Sequence, residues 1–147
     1  MTNSVIKGLV NITRNTSGYD LVPLIDYHAL NVEIDNFKGS RPAFFVMLPT
    51  REDTRLGNYS EEYSVRIEIV GVQETKFSGS DRIDFNAVDT VAESLKADIL
   101  KIIRGIVSSG EYDNVSRIIW ATVPYRFDSL RTAVTAQSDL VKSLSPC

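Results

Sequence analysis

The chain holds a single histidine, His28, with Asp26 two residues before it and Tyr27 between them. Residues two apart on an extended strand share a face, so a carboxylate at 26 could orient an imidazole at 28 as a general base. Such a base needs a nucleophile to act on. The sequence has no G-x-S-x-G turn to supply one, and no second histidine to complete a metal pair. His28 is therefore read as a structural or surface residue. The alternative function is a small soluble ligand-binding or enzymatic α+β domain that uses His28 and nearby carboxylates.

Metal chemistry has two candidate clusters. Glu52, Asp53, Glu61 and Glu62 bracket one polar segment and offer the oxygen ligands that magnesium or calcium takes. Arg51 and Arg55 stand among them, and mixed signs at this density describe a solvated, ion-paired loop. Asp81, Asp84 and Asp89 form the second cluster, but their place before a helix is already accounted for by capping and the helix dipole. There is no EF-hand spacing, and the lone cysteine, Cys147, provides neither a disulfide nor a thiolate cluster. The glycines never form G-x-G-x-x-G or a Walker loop, so the expectation is no metal site, no nucleotide pocket and no cofactor.

Aromatic and basic residues interleave once, at Pro124-Tyr125-Arg126-Phe127 with Arg131 nearby, a pattern that can stack single-stranded nucleic acid. A hairpin corner with a packed aromatic explains the same residues. With 16 basic against 19 acidic side chains and a net charge of -3, the balance argues against a dedicated nucleic-acid surface.

These residues have to be positioned by a chain of 147 residues, the usual size of one domain, so a single domain over 1–147 is expected. With 43% hydrophobic and 24% charged residues it has the make-up of a soluble globular protein. Lys7, Asn11 and Arg14 interrupt the apolar residues of the first segment, so neither a secretory leader nor a membrane span is expected. The four N-x-S/T triplets, at Asn11, Asn15, Asn58 and Asn114, are then chance occurrences in an Asn/Ser/Thr-rich chain.

Val5, Ile6, Leu9, Val10 and Ile12 fall at helical spacing, which predicts a short opening helix capped by Ser4 and stopped by Gly18. Pro23 breaks any continuation. Leu30, Val32 and Ile34 then alternate with polar residues and predict a first strand, about His28 to Ile34. Gly39, Ser40 and Pro42 mark a turn, and the run Ala43 to Leu48 reads as a central strand covered on both faces. The polar stretch Thr50 to Asn58 reads as an exposed loop, and Glu62 to Val72 alternates cleanly as a strand. A second polar loop follows from Gln73, with Asp84 or Asn86 as the cap of the next helix.

Val88, Val91, Ala92, Leu95, Ile99, Ile102, Ile103 and Ile106 repeat at three- and four-residue steps, which predicts a long helix that can lie across a sheet. Ser116 to Pro124 reads as a buried strand around Trp120, Tyr125 to Leu130 as a turn, and Thr132 to Leu140 as the last strand. The fold class is α+β: a short N-terminal helix, a mainly antiparallel sheet of about five strands, and one long helix packed across it.

Two long polar loops on a compact domain, and a strand near the C-terminus that leaves a sheet edge, are contact elements rather than catalytic ones. In plan the chain resembles the tail-terminator and neck (head-tail joining) proteins of tailed bacteriophages. The likeness is carried by Pro42-Ala43-Phe44-Phe45-Val46-Met47-Leu48-Pro49, by Glu62-Tyr63-Ser64-Val65-Arg66-Ile67-Glu68-Ile69, by the helix from Val88 to Ile106, and by Trp120 to Phe127 paired with the final strand. It is one of element order and texture over most of the chain, with no diagnostic motif.

The resemblance implies a non-enzymatic virion protein that forms a homo-oligomeric ring, commonly sixfold. Such a ring ends or connects the tail tube, touches other tail or neck proteins, and lets DNA pass without sequence-specific binding. The family has no fixed functional residues to carry over, so the expected contacts are those of the loops: Arg51, Glu52, Asp53 and Arg55, with Lys76 and Phe77 from the second loop, would contact a neighbouring subunit or line the channel.

Overall fold

The computed structural model describes residues 2–37, 41–56, 60–75, 85–126 and 130–146. Helix α1, Thr2–Thr16, buries Ile6, Leu9 and Thr13, one stripe at three- and four-residue steps. It begins before Ser4, so Ser4 lies inside the helix and does not cap it. Gly18 does stop it. With φ at 79° it occupies the left-handed region, and its N–H donates to the Thr13 carbonyl at 3.1 Å.

The segment from residue 19 to 36 departs most from its sequence reading. Leu21–Leu24 forms a short strand, β1, which runs parallel to the strand after it through the pairs Leu21↔Phe44 to Leu24↔Met47. Pro23 is accommodated because β1 is an edge strand, where a missing N–H costs no inner ladder bond. The strand expected from His28 to Ile34 is instead helix α2, Tyr27–Asn36.

The expectation failed because residues alternating at i, i+2 and i+4 contain the helical step i, i+4. Leu30 and Ile34 are buried on that step, while Val32, which a strand would have buried with them, is 44% exposed. Asp26 starts the helix by accepting the Ala29 N–H at 2.8 Å on its side chain.

Strands β2, Ala43–Leu56, and β3, Ser60–Glu74, pair antiparallel along almost their whole length. The stretch expected to be an exposed loop from Thr50 is thus strand as far as Leu56, set off from the first part of β2 by a bulge between Met47 and Arg51. Its polarity reflects exposure on both faces, and β3 supplies the backbone partners that make it a strand.

Helix α3, Phe85–Ser108, is about 36 Å long at 1.5 Å per residue and buries the stripe Val88 to Ile106. Asn86 lies within it, so it is not the cap, and Asp84 falls outside the described residues. Gly105 sits inside the helix for a steric reason: a Cβ there would come 2.5 Å from the Thr16 hydroxyl of α1.

The remaining strands are β4, Asn114–Val115, β5, Ile119–Arg126, and β6, Leu130–Pro146. The sheet order is β1-β2-β3-β6-β4, with β5 also on β6. The C-terminal strand is therefore interior, flanked by β3 on one side and by β4 and β5 on the other. The free edge expected there is carried by β5 instead. Nor is β5 a buried strand: Trp120 is half-buried, Ile119 is 50% exposed, and Val123 is exposed as well.

The class is α+β with a mainly antiparallel sheet, but with three helices and six strands where two helices and about five strands were expected. Helices α1 and α3 cover one face through Ile6, Leu9, Leu95, Ile99, Ile102, Val65, Ile67, Ile69 and Val134. On the other face α2 covers only one part, through Leu30 and Ile34 against Phe45, Met47, Val70 and Val72. No helix among the described residues is long and apolar enough to cross a membrane.

Candidate assembly interface

Beyond the helices, three strands continue together: β2 from Arg51 to Leu56, the first residues of β3, and the end of β6, in the register Leu56↔Glu61↔Ser145. Arg51, Asp53, Thr54, Arg55, Leu56, Glu61, Glu62 and Ser143 are exposed, while Val65 and Tyr63 of β3 and Leu140 of β6 stay buried on the side of α1 and α3, so the opposite face and the outer end of this arm are what is left uncovered. Alternation along β2 places Arg51, Asp53 and Arg55 on one face and Glu52, Thr54 and Leu56 on the other.

The face bearing Arg51 carries a pattern of charge. Arg51 stands directly opposite Arg66 of β3, an arrangement that repulsion would disfavour on its own. Each guanidinium has a separate carboxylate to offset this. Arg51 Nε donates to Asp53 Oδ2 at 2.8 Å, and Arg66 donates to both oxygens of Asp139, at 3.0 and 3.4 Å. The bond to Asp139 and its charge hold the Arg66 pKa above the ordinary arginine value. A shallow cleft of about 330 Å³ lies between Arg51, Asp53, Arg55, Glu62 and Ser64.

On the other face a compact cluster ties the arm to the body. The Lys142 ammonium lies 5.8 Å from the Tyr63 ring centre and 5.7 Å from that of Tyr112, and pairs with Glu111 at 3.4 Å. Burial pushes the Tyr112 phenol up to about 12. Tyr63 is raised as well, first by burial and then by the charge and hydrogen bond of Glu52. Glu52 is thus an anchor of the arm's root, and it faces away from Arg51, Asp53 and Arg55.

Of the residues singled out from the sequence, Arg51, Asp53 and Arg55 come together on one face, and Glu52 sits behind them. Lys76 and Phe77 lie outside the described residues, as do Asp81, Asp84 and Cys147. The acidic residues do not converge: Glu52 and Glu61 share one face and Asp53 and Glu62 the other. Among the described residues no three His, Cys, Asp or Glu side chains are grouped to hold a metal ion.

His28 is exposed in the first turn of α2 and makes no side-chain hydrogen bond among the described residues. The Asp26 carboxylate meant to orient it caps Ala29 instead. Arg131, the basic residue expected beside the aromatic corner, is 1% exposed and donates from Nε to the Phe37 carbonyl at 2.7 Å, so it is a core residue and not a nucleic-acid contact.

Sequence reasoning missed Arg66, Asp139, Tyr112 and Lys142, which topology brings together from distant segments. Leu56 was missed too, although it is the one large apolar residue at the end of that charged run. Neither a scan of protein-family models nor a search of curated proteins returns a match to the chain.

Proposed function

We propose that this protein is a non-enzymatic structural subunit that assembles with copies of itself into a closed ring at the tail or neck of a tailed phage, where it ends or connects the tail tube. The observation that carries the reading is the arm. Three paired strands carry charged side chains exposed on the face away from α1 and α3 and an exposed leucine at their outer end, while a second exposed edge, β5, lies at the other side of the same sheet. The open face and outer end of this ribbon are left without covering side chains. A neighbour that packs against it gives it a role, and two different surfaces on one subunit generate a head-to-tail contact that can close into a ring. Virion location and contact with other tail or neck proteins belong to this proposal through the resemblance in element order.

The test is the state of the purified protein alone and with tails. Light scattering and electron microscopy are expected to show a discrete ring, or rings added to the ends of tail tubes. A species that stays monomeric and binds neither tails nor heads would refute the proposal.

A further inference from the structure

The open face of the sheet has a second cleft, about 200 Å³, lined by Arg66, Ser116, Arg117, Ile119, Gln137 and Asp139. Two of its residues are unusual for an exposed surface. Ile119 is a large apolar side chain left half in water, and Arg117, exposed beside it, has no ion-pair or hydrogen-bond partner for its side chain among the described residues. Arg66 in the same cleft is already matched by Asp139, so the uncompensated charge there is that of Arg117.

The tip of the arm carries the complement. Leu56 is 73% exposed, the most exposed large apolar side chain described, and its register partner is Glu61, followed by Glu62. Both glutamates are exposed and have no ion-pair partner among the described residues. One end of the sheet therefore presents an apolar knob with one free negative charge, Glu61, beside it on the same face and a second, Glu62, on the opposite face of the same tip. The far edge presents a polar cleft that holds one exposed apolar side chain, Ile119, beside a free positive charge.

The two cannot meet within one chain. The cleft lies level with Arg66, and the tip lies level with Glu61, five residues further along the same strand, or about 17 Å at 3.4 Å per residue. Resting on the ring reading above, we infer that the occupant of the cleft is the arm of a second copy of this chain, with Leu56 against the neighbour's Ile119 and Glu61 or Glu62 against its Arg117. The contact is heterologous: each subunit uses its tip on one neighbour and its cleft on the other, so it propagates and can close.

Charge reversal tests this directly, because all three charged residues are exposed and their replacement leaves the core intact, as circular dichroism should show. Arg117→Glu, and separately Glu61→Lys with Glu62→Lys, are expected to raise the concentration at half-assembly by about tenfold or more. Combining the three substitutions should restore assembly to near that of the unaltered protein. In a Cys147→Ser background, Leu56→Cys with Ile119→Cys should give an oxidised ladder longer than a dimer, and neither cysteine alone should exceed a dimer.

If the unaltered protein assembles while the reversals leave its mass unchanged and the cysteine pair forms no ladder, this contact is wrong and the ring reading stands. If the unaltered protein is monomeric at every concentration and on tails, both fall.

Discussion

Two halves of one hairpin behave as different materials. From Ala43 to Met47 and from Ile69 to Val72, β2 and β3 are apolar on both faces, because α1 and α3 pack on one side and α2 on the other. From Arg51 to Leu56 and from Glu61 to Ser64, the same two strands keep the same pairing with charged and polar side chains mostly in water, Tyr63 being the buried exception. Burial holds the first half. The second is held by its backbone ladder to β3 and β6 and by the Tyr63, Tyr112 and Lys142 cluster at its root. Strand identity thus tracks the availability of a partner strand, and hydrophobicity reports only what covers the result.

The largest expected contrast is between the two halves themselves. Leu95→Ala, at a fully buried position of α3, should cost about 2–5 kcal/mol in denaturant unfolding, whereas Thr54→Ala on the arm should stay within about 0.5 kcal/mol. Similar losses at both sites would show that the arm is part of the cooperative core. Next is the helix contact that closes the covered face: Gly105→Ala forces a methyl against Thr16 and should lower stability by about 1–3 kcal/mol, with partial recovery when Thr16→Ala is added.

Where α2 leaves off covering the other face, Asp26→Ala removes the cap on Ala29 and should cost about 1 kcal/mol in the same assay. On the uncovered part of that face, a double-mutant cycle between Arg66 and Asp139 should give a small favourable coupling that shrinks with salt, since both side chains are about one-third exposed.

The boundary between the halves has a pH signature. Tyr112 keeps its proton in the folded state up to about 12, against 10 when unfolded, so the native state binds more protons across that interval. Its contribution is therefore complete below pH 10 and declines as pH rises from 10 to 12. Tyrosinate absorbance that appears only near pH 12 should be reduced in Tyr112→Phe, and alkaline unfolding of that variant should begin less steeply.

Much of the architecture was legible because it rests on local periodicity. The stripe Val88 to Ile106 can be satisfied only by a helix with one buried face, and Tyr63, Val65, Ile67 and Ile69 only by a strand with one buried face. Leu30, Val32 and Ile34 satisfied two periods at once, so the choice fell to Asp26 as a cap and to the sheet surface that receives Leu30 and Ile34.

The run from Arg51 to Leu56 had no apolar signal to read. Its extended form depends on hydrogen bonds to β3, and no sequence period records a backbone partner. The same limit governs the candidate interface. The sequence by itself determined the α+β class, both well-patterned helices, the core strands and the chemistry available at Arg51, Asp53 and Arg55. Only the tertiary structure decided that Arg66 meets Asp139, that Arg131 is interior, and that the C-terminal strand lies inside the sheet with β5 at its edge. Those outcomes are set by long-range strand order, which is fixed when separate segments compete for the same ladder and the same apolar face.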